Sequence, residues 1–118
     1  MELSFIGTIA LFGFDYVPKD WAACDGQLLD ISANSALFNL LGTTYGGDGR
    51  TNFALPDMRG RVAIGYGQDP RKFGQAGGYA AVHANSGDTG SNDPTPTVQP
   101  YLVLNYCIAL QGFFPARQ

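Results

Sequence analysis

Residues 41–67 read LGTTYGGDGRTNFALPDMRGRVAIGYG, and the rest of the chain is organised around this stretch. It holds seven of the sixteen glycines and three of the five arginines. Glycine accepts positive φ and proline fixes its own φ, so the composition favours turns. The pattern predicts a frame of loops that ends in a strand over Arg61–Tyr66. We interpret eight residues as its structural signature: Gly46, Gly47, Asp48, Gly49, Pro56, Asp57, Arg59 and Arg61.

The segment Gly46–Gly49 predicts a tight loop of several turns, and two ligand-binding interpretations of it are weak. A phosphate-binding loop ends in Gly-Lys-Ser/Thr between a strand and a helix, and this ending is missing. A calcium loop alternates Asp and Asn ligands, and Asp48 does not belong to such a ladder. The sequence therefore predicts no metal and no cofactor. Arg50, Arg59 and Arg61 either brace the acidic turns or contact another subunit.

Bulk composition limits the classes of protein to which this chain can belong. Its 118 residues suit one domain, 1–118. Charged residues make up only 14%, against a typical value of about 25%. Such a chain either buries most of its surface or covers it with copies of itself. The net charge of −3 and the absence of Lys/Arg runs argue against a nucleic-acid partner.

The balance of acids also indicates the fold class. Nine Asp accompany one Glu, and Asp favours turns where Glu favours helices. We predict a mainly β fold with one short α-helix, compact and rich in loops. No apolar run reaches the ~20 residues of a membrane helix, so membrane insertion is not expected. The N-terminus lacks the basic start of a signal peptide, which predicts synthesis in the cytoplasm.

Four further elements are predicted along the chain. Ser4–Phe14 has apolar residues on both faces, as in a strand buried on two sides. Trp21–Leu29 predicts a hairpin whose turn is Asp25-Gly26. Asp30–Leu41 predicts a helix that Ser32 or Asn34 caps and Gly42 ends. Gln99–Gly112 is the strongest strand signal, and a strand so apolar must be central in a sheet or covered by a partner.

Residues that could carry chemistry are few, so we predict that the chain is not an enzyme. His83 is the single histidine, and no nucleophile motif accompanies it. It borders residues 84–96, which predict a surface loop. Cys24 and Cys107 are too far apart for a redox or metal motif. They are either two buried thiols or a disulfide that ties the first third of the chain to its last strand.

Several motifs of residues 5–67 and 98–118 resemble the phage tail collar domain, and more narrowly its microcystin-dependent-protein-like subgroup. They are W-x-x-C-D-G-Q, L-G-x-x-Y-G-G-D-G, F-x-L-P-D-x-R-G-R and Q-P-Y-x-x-L-N-Y-C-I-A-L-Q-G. The resemblance implies a structural protein of phage tails or tail-derived particles. Two departures limit it: the variable insertion is shortened to residues 79–98, and His83 lacks the His-x-His partner of metal-binding members.

The resemblance and the apolar strands together predict a homo-oligomer, in a tail-like particle or an extracellular filament. The candidate assembly residues lie near the two termini: Phe5, Ile6, Ile9, Phe12, Phe113 and Phe114. An extended terminus that adds a strand to a neighbouring subunit is one mechanism. The alternative function is a module that binds surface glycans, with Tyr45, Tyr66 or Tyr79 as stacking platforms.

Overall fold

The structure is a computed structural model that describes residues 4–67, 71–78, 81–83, 94–96 and 99–117. The described residues form seven short strands and one helix, so the prediction of a mainly β fold with one short helix is confirmed. The elements are β1 Ile9–Phe12, β2 Trp21–Ala23, β3 Leu28–Asp30, α1 Ser35–Leu41, β4 Asn52–Ala54, β5 Ala81–His83, β6 Pro94–Pro96 and β7 Asn105–Ala109.

The main sheet has three antiparallel strands in the order β1-β7-β2. Ile9 pairs with Ile108 on one side of β7, and Trp21 pairs with Ala109 on the other. Cys107, Ile108 and Ala109 are fully buried, as an uncharged strand between two neighbours should be. The prediction of a central strand is therefore confirmed for Asn105–Ala109. Residues 99–104 are not part of it.

The predicted hairpin over Trp21–Leu29 is wrong. Its first half, β2, pairs with β7, whereas its second half, β3, pairs antiparallel with β4. The Asp25-Gly26 corner sends the chain from one sheet to the other. The Gly26 N–H donates to the Pro56 carbonyl at 3.2 Å, and the backbone of Asp25 forms an isolated antiparallel β-bridge with that of Asp57. A Gly26 φ of 79° makes that corner, which is turn chemistry without a hairpin.

The first strand is shorter than the predicted Ser4–Phe14. Residues 5–8 form a turn, in which the Thr8 N–H donates to the Phe5 carbonyl at 3.2 Å and Gly7 has φ 86°. The expected burial on two sides is also wrong, since Ile9 and Leu11 are 40% and 52% exposed. In a single copy β1 is an edge strand, and part of its apolar side-chain surface is left exposed to solvent.

The helix begins later than the predicted Asp30, because Asp30 pairs with Asn52 at the end of β3. Asn34 is at the N-cap position, but its side chain donates to the Asp30 carbonyl at 3.1 Å instead of capping. Gly42 ends the helix as predicted, with φ 56° and its N–H donating to the Phe38 carbonyl at 2.7 Å. One face of α1 reaches the core through Leu37, which is 1% exposed.

The core lies where the main sheet, the β3–β4 pair and α1 meet. Phe53 is fully buried, and its ring is 5.4 Å from that of Phe38 at a tilt of 56°. Leu37, Leu55 and Ile108 complete the centre of this cluster. Trp21 is half-buried and meets the Phe12 ring edge-on at 5.0 Å.

Two predictions fall on the second half of the chain. Arg61–Tyr66 was expected to be a strand, and this is wrong, because no described strand pairs with it. The surface loop predicted over 84–96 is wrong at its end, where β6 pairs with β5. Residues 84–93 lie outside the described residues. The single domain with a shortened insertion at 79–98 stays a prediction.

Candidate functional site

The loop at 46–49 owes its shape to three glycines. Gly46, Gly47 and Gly49 have φ of 129°, 93° and 74°, a region that L side chains rarely adopt. Gly47 also lies against the backbone of Phe53, so a Cβ at position 47 would overlap it. The loop thereby packs flat on β4, and the Ala54 N–H donates to the Gly46 carbonyl at 3.0 Å.

Asp48 closes this loop with its own carboxylate. One oxygen accepts from the backbone N–H groups of Arg50, Thr51 and Asn52 at 2.8, 2.9 and 3.0 Å. The other accepts from the Thr51 hydroxyl at 2.9 Å. These donors hold the pKa of Asp48 far below its usual range. The carboxylate is thus committed to the loop itself.

A second turn, Pro56–Arg61, is built around Asp57. The Arg59 guanidinium donates to both oxygens of this carboxylate, at 2.9 and 3.0 Å. Arg61 donates to the Asp57 carbonyl at 2.8 Å. The hydrogen bonds from Arg59 lower the pKa of Asp57 to about 2. Arg59 and Arg61 therefore brace the turn within one copy, and whether either arginine also contacts another subunit stays a prediction.

The Asp57 turn is fastened to the Cys24–Gly26 corner by the backbone. The Met58 N–H donates to the Cys24 carbonyl at 2.9 Å, next to the Asp25–Asp57 bridge. The turn thus holds the chain at the edge of the main sheet. Beyond it, Val62, Ile64 and Tyr66 are 81%, 63% and 72% exposed.

An apolar groove of about 820 Å³ opens beside this turn. One wall is Met58–Val62 and the other is Tyr101–Tyr106, with Leu11 of β1 and the Cys24 corner also lining it. Tyr101, Leu102 and Val103 are 77%, 81% and 80% exposed. We call Val62–Tyr66 and Tyr101–Leu104 the two open segments.

The sequence analysis did not predict that the open segments are exposed. The signal that could have found them is the run Gln99–Ala116, which contains no charged residue. Its part Gln99–Gly112 was interpreted as a strand that must be central in a sheet or covered by a partner. The structure covers only its second part, Asn105–Ala109, and leaves Tyr101–Leu104 bare.

The predicted assembly residues near the termini come together in part. Phe5 and Phe113 form a parallel bridge, and the Ile6 N–H donates to the Phe113 carbonyl at 2.9 Å. Phe5, Phe113 and Phe114 are 57%, 59% and 54% exposed, whereas Ile6 is buried. Ile9 and Phe12 lie on β1 instead. Whether this patch contacts another copy stays a prediction.

Both cysteines are free, buried thiols. Ala23 pairs with Cys107, so Cys24 comes opposite Tyr106 and shares a face with Ala22 and Ile108. Because strand side chains alternate, Cys107 points to the other face of the sheet. Burial, with smaller effects of Cys107 and Asp25, raises the pKa of Cys24 to about 12, and burial also raises the pKa of Cys107.

Two of the three tyrosines proposed as glycan platforms, Tyr45 and Tyr66, lie next to the loop at Phe73-Gly74. Tyr66 meets the Phe73 ring edge-on at 5.4 Å, and the neighbouring Gly74 lies beside the half-buried Tyr45 ring. Burial raises the pKa of Tyr45. Tyr79 lies outside the described residues. Within the described ranges, no three His, Cys, Asp or Glu side chains are grouped to hold a metal ion, and no helix is long and apolar enough to cross a membrane.

Comparison with known proteins finds a family similarity over part of the chain. Residues 7–63 match the sequence profile of the Phage Tail Collar Domain family. The matched part runs from the turn before β1 through α1 and both turns described above. No curated protein matches the chain. The collar resemblance is thus supported for residues 7–63, and the narrower microcystin-dependent-protein-like subgroup stays a prediction.

Proposed function

We propose that this chain is a structural subunit of a phage-tail-like particle or a related extracellular filament, in which it associates with copies of itself. The collar-like segment 7–63 supports the tail-related role. The observation that carries self-association is the exposure of Tyr101–Leu104, four consecutive apolar residues. Exposed apolar surface that is continuous over several residues is typical of an interface.

The rest of the described surface agrees with a structural role. The Asp48 and Asp57 carboxylates both accept hydrogen bonds from residues of their own turns. The arginines beside the groove are held by Asp57, so they shape the chain and offer little to an anionic substrate. Turns closed by their own hydrogen bonds, next to exposed apolar segments, support a structural role.

A matched pair of variants tests the proposal. Leu102→Asp places a carboxylate on an open segment, and Leu28→Asp does the same at a residue on β3 that is also exposed, at 58%. Since an unpaired charge is costly to bury, Leu102→Asp should weaken association roughly 100-fold, and Leu28→Asp should change it little. Light scattering after size-exclusion chromatography measures the mass, and negative-stain microscopy shows rings or fibres.

The expected result is a wild-type oligomer that Leu102→Asp disperses into folded monomers. A wild-type protein that remains monomeric at high concentration would overturn the proposal. Equal effects of the two variants would place the interface elsewhere.

A surface-glycan-binding role is the second candidate function. In the loop at Phe73-Gly74, Phe73 meets the Tyr66 ring and Gly74 lies near the Tyr45 ring, and aromatic rings stack on sugars. Binding of the wild-type protein to a glycan array, lost in Tyr66→Ala, would support this role. An array without signal would remove it.

A further inference from the structure

The two open segments reach one groove, Val62–Tyr66 through Val62 alone, and neither has a strand partner within the described residues. Val62 lies on one wall and Tyr101–Leu104 on the other. Tyr101–Leu104 leads directly into β7, but the pairing of β7 with β1 stops at Phe12 opposite Asn105. On the other side the last backbone hydrogen bond joins Cys24 to Tyr106. The central segment of the main sheet thus extends past both of its neighbours.

The backbone of the open segments has no ladder within the described part of the chain. No described backbone hydrogen bond involves residues 62–66 or 101–104. Their residue types, among them valine, isoleucine, leucine and tyrosine, favour strands. A peptide that adds a strand at such a position satisfies its backbone groups and covers its side chains in one step.

Area and charge indicate what kind of chain fits there. From their exposed fractions, the seven large apolar residues of the two segments together leave roughly 1,000 Å² accessible. This reaches the about 800 Å² that a stable interface needs from each partner when both segments of one copy pair with the same second copy. Neither segment contains a charged residue. Asp25, Arg59 and Arg61 also line the groove, but both arginines are paired with Asp57, so most charges of an acidic or basic peptide would find no partner there. The matching occupant is another uncharged apolar strand.

We infer that Val62–Tyr66 of one copy lies in the groove of a second copy and pairs with Tyr101–Leu104 of that copy. This inference rests on the proposed self-association and names the surfaces that perform it. Pairing between unlike segments covers both segments of every copy with a single type of contact. Pairing of Tyr101–Leu104 with itself would leave Val62–Tyr66 exposed, with Val62 still 81% bare.

Cysteine cross-linking between full-length chains tests the pairing. Ile64→Cys is prepared with heavy nitrogen and Val103→Cys with natural nitrogen, and the two are unfolded and refolded together. A short bis-maleimide then joins thiols that lie close, and mass spectrometry identifies which chains are joined. Buried Cys24 and Cys107 should not react, so the wild-type protein supplies the background. Leu28→Cys, on exposed β3, replaces Ile64→Cys in the matched control.

The expected result is a mixed heavy–light dimer at least tenfold more abundant than dimers from either variant alone or from the Leu28→Cys control. Abundant dimers from Val103→Cys alone would overturn the inference, because they show this segment pairing with itself. A mixed yield no higher than the control would overturn it as well. In both cases an oligomeric wild-type protein leaves the proposed function standing, whereas a monomeric wild-type protein refutes both.

Discussion

Gly47 lies directly on the backbone of the fully buried Phe53, so the glycine-rich loop is fixed to the core. Position 47 has φ 93°, and a Cβ there would overlap the Phe53 main chain. The glycine-rich frame is therefore part of the core architecture. Gly47 lets the loop approach the backbone of β4 closely, and Asp48 and Asp57 close their turns by accepting hydrogen bonds.

Gly47→Ala should destabilise the fold by more than ~2 kcal/mol, because positive φ and backbone overlap both oppose the methyl group. Chemical denaturation measures the change. Gly13→Ala is the control, since Gly13 has no positive φ and a Cβ there has open space. Equal stabilities of the two variants would contradict the packing of Gly47 on Phe53.

Phe53→Ala should cost about 3–5 kcal/mol, because it empties a fully buried site against Phe38 and the core leucines. Phe73→Ala removes the same side chain from a position that is 61% exposed and should cost less than about 1 kcal/mol. Thermal and urea unfolding compare the two. A larger loss for Phe73→Ala would show that the core is centred elsewhere.

Stability should fall as the pH drops below about 4, because both turn carboxylates have a lowered pKa in the folded state. A lowered pKa means that stabilisation is present above the unfolded value of 3.8 and is lost as pH falls through the folded value, about 2 for Asp57. Urea midpoints at pH 7, 4 and 2.5 measure the loss, and Asp48→Asn and Asp57→Asn should each flatten the profile.

The response to salt distinguishes the contributions of Asp48 and Asp57 to the acid dependence of stability. Asp57 is held first by the Arg59 guanidinium, so its share of the acid dependence should shrink at high ionic strength. Asp48 is held by backbone N–H groups and the Thr51 hydroxyl, so its share should persist. An Asp57→Asn profile that responds to salt as strongly as the wild-type profile would contradict this assignment. Arg50→Ala is the control, because it keeps the backbone N–H from which the Asp48 carboxylate accepts a hydrogen bond.

Both thiols should resist labelling in the native protein near neutral pH, because they are buried and their pKa values are raised. In denaturant without a reductant, two labels per chain are expected by intact mass. No label before reduction and two after it would show the alternative, a Cys24–Cys107 disulfide. Leu28→Cys gives a fully reactive thiol for comparison.

Local features of this chain follow from its sequence, because their partners are only a few residues apart. The Gly46–Gly49 loop closes through Asp48 within four residues, and Arg59 reaches Asp57 within two. Gly42 ends its helix by the same short-range chemistry. Glycine, aspartate and arginine at these spacings determine the turns wherever the rest of the chain lies.

Strand partners and exposed surfaces were decided only by the tertiary structure. Asp25-Gly26 predicts a turn equally well inside a hairpin or between two sheets. Pairing of β2 with β7 and of β3 with β4 makes it the second, and one hydrogen bond from the Gly26 N–H to the Pro56 carbonyl holds the corner. The apolar run after Gln99 predicts a strand that needs cover, yet only packing shows that β1 and β2 cover Asn105–Ala109 and stop before Tyr101–Leu104. Pairing over such separations depends on how much apolar surface each arrangement buries, which no local pattern encodes.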